Sequence, residues 1–139
     1  MGWAIAFYPE RDLSPMAFIL IVEDSDETAH LEIALASVDG LKVVVLTDGR
    51  RALKLLQTGT PELAAVITDL NLPFVDGFDL VAAIRAQTGY RRLPVIVISG
   101  DTDPDVRNRV CKLGADAFFT KPYSPAEIRH TLEGLFYAP

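Results

Sequence analysis

The stretch from Ala64 to Gly77, AAVITDLNLPFVDG, limits the possible folds more than any other in the chain. Ala65-Val66-Ile67-Thr68 is an unbroken apolar and β-branched run. Such a run reads as a strand buried on both faces, as in the middle of a parallel sheet. It ends in a single carboxylate, Asp69, and then breaks into a loop at Asn71, Pro73, Asp76 and Gly77. In open α/β sheets, ligands bind just beyond the carboxyl ends of the strands. Asp69 is therefore a candidate nucleophile or metal ligand, set against the plainer reading of an Asp that opens a turn.

The rest of the chain repeats that pattern. Residues 1–15 stand apart as an N-terminal extension or tag, and residues 16–139 form one domain. Phe18 to Val22 reads as the first strand and ends in Glu23-Asp24. A helix follows, which Ser25 or Asp26 could cap, with Leu31, Ala34, Leu35 and Val38 at helical spacing and Asp39-Gly40 at its end. Lys42 to Leu46 is the second strand. The second helix carries Ala52, Leu53 and Leu56 on one face and closes at Gly59. The third helix runs from about Phe78 to Gln87. Val95-Ile96-Val97-Ile98 is the fourth strand and ends in Ser99-Gly100. Asp103-Pro104 starts the fourth helix, with Val106, Val110 and Leu113 as its buried stripe. Ala117 to Thr120 is the fifth strand, ending in Lys121-Pro122. Ser124-Pro125-Ala126-Glu127 is a capping box for the last helix, with Ile128, Leu132, Leu135 and Phe136 inward. Five strands alternating with five helices through short connections predict an α/β fold: an open, doubly wound, five-stranded parallel sheet, flavodoxin-like in its (βα)5 order.

Composition excludes several classes. A net charge of −6 argues against a nucleic-acid surface, which calls for a basic patch. No apolar run approaches the roughly 20 residues that cross a bilayer, so no membrane association is expected. The single cysteine, Cys111, forbids an intrachain disulfide and suits a cytoplasmic setting. His30 and His130 lie on helices and read as solvated.

The strand ends carry the chemistry. Glu23, Asp24, Asp69, Ser99 and Lys121 all fall at the same edge of one parallel sheet. Three adjacent carboxylates repel one another, so at least one pKa should be raised unless a cation relieves them. Mg²⁺ takes one or two carboxylates plus waters and phosphate oxygens, which this set can provide. Lys121 and the Ser99 hydroxyl could hold the remaining oxygens of a phosphoryl group. A carboxylate can itself be the nucleophile and become an aspartyl phosphate, and Asp69 lies at the centre of the group.

With these residues in place, the chain from Phe18 to Phe136 resembles the receiver domain of two-component response regulators, in particular the single-domain, chemotaxis-regulator-like kind. The matching pieces are Glu23-Asp24, the Asp69-to-Gly77 loop, Ser99-Gly100 and Lys121-Pro122-Tyr123, with 30 residues from Asp69 to Ser99 and 22 from Ser99 to Lys121. The resemblance implies that Asp69 accepts a phosphoryl group from a sensor histidine kinase or a histidine phosphotransfer protein. It implies that Asp24 and Asp69 bind Mg²⁺ with the Asn71 carbonyl, and that Glu23 acts through water. It assigns Ser99 and Lys121 to the phosphoryl group, makes Lys121-Pro122 a cis bond, and puts Phe118 in the place of the switch aromatic. It also implies a downstream target read through helix 4, strand 5 and helix 5. Such a protein is a signalling phosphoacceptor with autophosphorylating and autodephosphorylating activity rather than a conventional enzyme. Two departures are the Glu at position 23, where Asp is commoner, and the Phe at 118, which lacks the hydroxyl of a Tyr. The rivals are a Mg²⁺-dependent phosphohydrolase of the haloacid-dehalogenase kind and a receiver-like interaction module that is never phosphorylated. The first needs an acid two residues after the nucleophile, where Asn71 stands.

Overall fold

A computed structural model of the chain describes residues 16–38 and 40–137. The expectations for residues 1–15 and for Asp39 lie outside this range. The elements alternate as β1 (Phe18–Val22), α1 (Ala29–Ala36), β2 (Lys42–Leu46), α2 (Gly49–Thr58), β3 (Leu63–Asp69), α3 (Gly77–Ala86), β4 (Val95–Ser99), α4 (Pro104–Leu113), β5 (Ala117–Thr120) and α5 (Pro125–Phe136). One short 3₁₀ turn, Thr88–Tyr90, joins α3 to β4. The five strands form one sheet in the order β2-β1-β3-β4-β5, and every pairing is parallel. This is the flavodoxin-like (βα)5 arrangement that the alternation predicts.

Side-chain alternation sorts the sheet into two buried faces. Ile19, Ile21, Ala65, Ile67, Ile96 and Ile98 point to one side, where Leu31 and Leu35 of α1 and Ile128, Leu132 and Phe136 of α5 cover them. Leu20, Val22, Val66, Val95 and Val97 point to the other, under Ala52 and Leu56 of α2, Leu80, Val81 and Ile84 of α3, and Val110 of α4. All seven residues of β3 are buried, as its continuous apolar run requires for a central strand. The outer strand β2 alternates exposed and half-buried residues. Burying each Val, Leu or Ile contributes about 1.5–3 kcal/mol, so the central strands hold the sheet together.

The helix starts follow their capping residues, with one exception. Asp48, Asp76, Asp103 and Ser124 each accept a backbone N–H from the first turn of α2, α3, α4 and α5. The expected cap of α1 by Ser25 or Asp26 is not what forms. The N-cap is Thr28, and its side chain caps no backbone group. Its hydroxyl instead donates to Glu32 at 2.8 Å, while the Ser25 hydroxyl accepts from the Glu27 amide at 3.3 Å. The acidic loop after β1 therefore makes its own turn before the helix begins, and α1 starts a few residues later than the capping residues predict.

The sheet order reverses between β1 and β3. From β1 the chain moves outward to β2, then crosses back to build β3, β4 and β5 on the other side. The crevice beyond the carboxyl ends of β1 and β3 is thus the topological switch point, where α/β sheets bind ligands.

Candidate functional site

Glu23 and Asp24 follow the last residue of β1, Asp69 is the last of β3, Ser99 the last of β4, and Lys121 follows β5. The backbone ladder runs on past the strands and ties these residues in place. The Glu23 amide donates to the Leu46 carbonyl at 3.2 Å, Leu70 to Ile98 at 3.2 Å, and Lys121 to Ser99 at 2.9 Å. All five residues singled out in the sequence therefore meet at one edge.

Lys121 is the hub of the contacts. Its Nζ lies 2.5 Å from Asp69 Oδ2 and 2.9 Å from Glu23 Oε2. Asp69 is 4% exposed and Glu23 6%, so both carboxylates are withdrawn from water, while Asp24 remains exposed. The other Asp69 oxygen, Oδ1, accepts the Asn71 amide at 2.9 Å. One carboxylate oxygen each from Glu23, Asp24 and Asp69 lies within 4.8 Å of the other two. Ser99 is fully buried, and its hydroxyl accepts the Asp101 amide at 3.0 Å. The Lys121–Pro122 bond is cis.

The electrostatics follow from this packing. Burial pushes the Glu23 carboxyl above its ordinary range, partly offset by the Lys121 hydrogen bond, and the charge of Asp69 pushes it further up. Burial by itself would lower the Lys121 ammonium, but the hydrogen bonds to Asp69 and Glu23 outweigh it and hold the amine above its usual value. Three carboxylates against one ammonium leave two negative charges, which matches a divalent cation. Two of the three are shielded and the third faces water. Oxygen donors with room for several waters suit Mg²⁺ better than a closed protein cage would. The residues present thus fit the ion.

Beside this group, Asn71, Phe74, Val75, Phe78, Ser99 and Val106 line an open cleft of about 450 Å³. Val97 and Ser99 share the face of the sheet that α4 covers, and Phe118, paired with Val97, packs into the same core. Phe118 is half-buried, with the Arg107 guanidinium 5.2 Å from its ring centroid. Cys111, His30 and His130 are exposed, and His30 lines a cleft with Glu27, Lys121, Pro122 and Tyr123. One neighbour of Asp69 escaped the sequence reading, and a second residue, Tyr123, entered it only as part of the Lys121-Pro122-Tyr123 piece. The buried Thr68 hydroxyl donates to the Asp69 carbonyl at 2.9 Å, and Tyr123 is half-buried next to Lys121, its phenol pushed upward by burial. A Thr inside an apolar strand carries no local signal of such a contact.

A parallel (βα)5 sheet with a buried carboxylate at its switch point, flanked by two further acids and a lysine, defines a protein built to handle a phosphoryl group with a divalent cation. Residues 19–133 match the response regulator receiver domain, and the chain belongs to that family. The chemotaxis response regulator CheY4 of Vibrio cholerae is 29% identical, with a TM-score of 0.72 over 86% of this chain and 98% of that one. The receiver domain of the sensor histidine kinase PA1611 from Pseudomonas aeruginosa PAO1 is 26% identical, with a TM-score of 0.71 over 87% of this chain and 98% of that one. That domain holds a magnesium ion in its active-site cleft. RcaC of Microchaete diplosiphon is 30% identical over 82% of this chain, which spans 17% of RcaC. The chain spans about half or less of several curated relatives that it matches. Among the described residues, no helix is long and apolar enough to cross a membrane.

Proposed function

We propose that residues 16–139 are a receiver domain that takes a phosphoryl group onto Asp69 from the phosphohistidine of a sensor kinase or a histidine phosphotransfer protein, in the cytoplasm, and that residues 1–15 are an extension outside it. The observation that carries this reading is Lys121 Nζ held at 2.5 Å from Asp69 and 2.9 Å from Glu23, with Asp24 completing an acidic triad. An Asp69 oxygen attacks phosphorus as the bond from phosphorus to the donor imidazole nitrogen breaks, and that nitrogen keeps the electron pair. Lys121, already on Asp69, pairs with the new phosphoryl oxygens. The Asn71 amide keeps the Asp69 carboxylate oriented through Oδ1. Asp24, Asp69 and the Asn71 carbonyl would hold Mg²⁺, with Glu23 reached through water. The ion would supply the positive charge that phosphoryl transfer needs at the transferred oxygens. Incubation with Mg²⁺ and acetyl phosphate should add one hydroxylamine-labile phosphoryl group. Steady turnover of many phosphomonoesters would instead mark a phosphohydrolase.

The two acids after β1 should contribute unequally to the metal. Asp24 is exposed and makes no ion pair among the described residues, whereas Glu23 is engaged by Lys121. Asp24→Ala should weaken Mg²⁺ binding more than Glu23→Ala does, as read by titration of the purified domain. Equal losses would contradict these roles.

Partner binding would change through α4, β5 and α5. Ser99 leads into α4, and Phe118 lies on the same side of the sheet. A shift of Ser99 toward the phosphoryl group would let the Phe118 ring turn inward and α4 resettle, giving two packed arrangements. The surface that a target would read includes Arg107, Asn108, Cys111 and Lys112, all exposed on α4. NMR spectra with Mg²⁺ and beryllofluoride should show changes running from Asp69 through Phe118 to α4, reduced at α4 in Ser99→Ala. Spectra that change only at the strand ends would rule out this route.

A further inference from the structure

Helix α3 begins directly against the backbone of the phosphoacceptor. A Cβ on Gly77 would stand 2.5 Å from Leu70 Cα, 2.8 Å from the Asp69 carbonyl oxygen and 2.9 Å from the Leu70 carbonyl oxygen. All three are main-chain atoms, so no side-chain rotation could make room. Gly77 is helical and is not among the glycines with positive φ, so what the site needs from it is space rather than an unusual backbone angle. Its amide donates to the Leu70 carbonyl at 3.1 Å. Asn71 and Asp76 pair across the loop as an antiparallel bridge, and the Asp76 carboxylate accepts the Phe78 amide at 2.9 Å. The loop from Leu70 to Asp76 is therefore a clasp whose two ends meet on Asp69 and Leu70.

We propose that Gly77 is a positioning residue for the metal and phosphoryl site. Its missing Cβ lets α3 seat on the Asp69–Leu70 peptide, and that seat fixes the course of the main chain at Asn71. The Asn71 amide in turn orients Asp69, and its carbonyl is the proposed main-chain ligand. The inference rests on the Mg²⁺-dependent phosphoacceptor reading and extends it to a residue that touches neither ion nor phosphoryl group. Accommodating an alanine would force the two backbone segments apart by about half an ångström, the scale on which a preorganised site loses its geometry. Loss of a residue that orients ligands typically lowers metal affinity about 10–100-fold.

The test compares Gly77→Ala with Gly114→Ala in the full chain. Gly114 ends α4 with a φ of +110°, and a Cβ there would meet Arg85 Cγ at 2.8 Å. It lies at the opposite edge of the sheet, so its substitution strains the fold without touching the clasp. Both variants should melt at lower temperature without metal. Only Gly77→Ala should lose affinity for Mn²⁺, read by electron paramagnetic resonance and by Mg²⁺ displacement, by about tenfold or more. Its amide spectrum without metal should also shift at Asn71. Mn²⁺ affinity in Gly77→Ala within twofold of wild type, or an equal loss in Gly114→Ala, would overturn the proposal. Should Gly77→Ala not fold, Asp76→Ala keeps the glycine and removes only the bond that seats the first turn of α3. It should lose several-fold in Mn²⁺ affinity while staying folded, and an unchanged affinity would count against the clasp. Wild-type protein that binds neither ion would instead overturn the metal reading itself.

Discussion

Asp69→Asn should reduce phosphorylation by acetyl phosphate with Mg²⁺ by on the order of 10³-fold or more, the scale seen when a nucleophile is removed. The substitution keeps the shape of the side chain. Its amide oxygen can still accept the Asn71 amide, now at 2.9 Å from Oδ1. What it removes is the negative oxygen that, on the proposed function, would attack phosphorus, and one of the three charges that would attract a cation. The same change relieves repulsion, because Glu23, already raised by burial and by Asp69, loses a charged neighbour. Lys121 keeps Glu23 as a partner at 2.9 Å. The variant should therefore be folded and no less stable than wild type in a thermal melt, while intact-mass measurement finds no hydroxylamine-labile adduct. Chemistry is then lost without loss of structure. An adduct that forms in the variant at the wild-type rate would place the acceptor on another residue.

Most of this site could be read from the chain, and the reason is physical. A buried parallel strand must be a continuous apolar run, and its end is marked by the first polar residue. Asp69, Ser99 and Lys121 each announce themselves in that way, and the sheet brings their ends to one edge. What could not be read depends on contacts between segments far apart or on backbone geometry. The direct ion pair of Glu23 with Lys121, about 100 residues away in sequence, is one such contact. The cap of α1 was misplaced because Ser25 and Asp26 are good caps in isolation, whereas the acidic loop forms its own turn first. Phe74 adopts φ of +67° while 80% exposed, with the Arg50 guanidinium 4.3 Å from its ring. A bulky residue seldom takes that angle, and nothing in the segment Leu-Pro-Phe-Val signals it. Gly77 read as a turn residue, and its tight packing on Asp69 emerges only once α3 is placed. Arg85 on α3 is similar. It donates to the Gly114 carbonyl at 2.9 Å and pairs with Asp116 at 3.0 Å, which joins α3 to the chain entering β5.

Lys121→Ala should affect stability and metal binding in opposite directions. Lys121 is the ammonium that pairs with two withdrawn carboxylates, with side-chain exposures of 30% for Lys121, 7% for Glu23 and 4% for Asp69. Removing one member of a fully buried ion pair costs about 3–5 kcal/mol, because the other charge is left alone. Water reaches Lys121, so the loss here should be smaller, about 1–3 kcal/mol without metal. The deficit should depend on pH with a definite sign. Burial raises the Glu23 carboxyl, and loss of the Lys121 hydrogen bond removes what offsets that rise. A carboxyl raised in the folded state binds more protons there than in the unfolded chain. The variant should therefore lose stability as pH rises through the raised Glu23 value, and regain it as acid protonates the group. Mg²⁺ should partly replace the lost ammonium. A ligand that binds only the folded state stabilises it by RT ln(1 + [L]/Kd), and without a competing cation the acids should bind Mg²⁺ more tightly. The Mg²⁺-dependent rise in melting temperature should thus be larger in Lys121→Ala than in wild type. Phosphorylation should still fall by about 10²–10³-fold, because the charge that, on the proposed function, would meet the transferred oxygens is gone. Melts with and without Mg²⁺ across pH, run beside the phosphorylation assay, separate the two effects. A smaller Mg²⁺ response in the variant would show that Lys121 does not compete with the ion, and an unchanged phosphorylation rate would remove it from the chemistry.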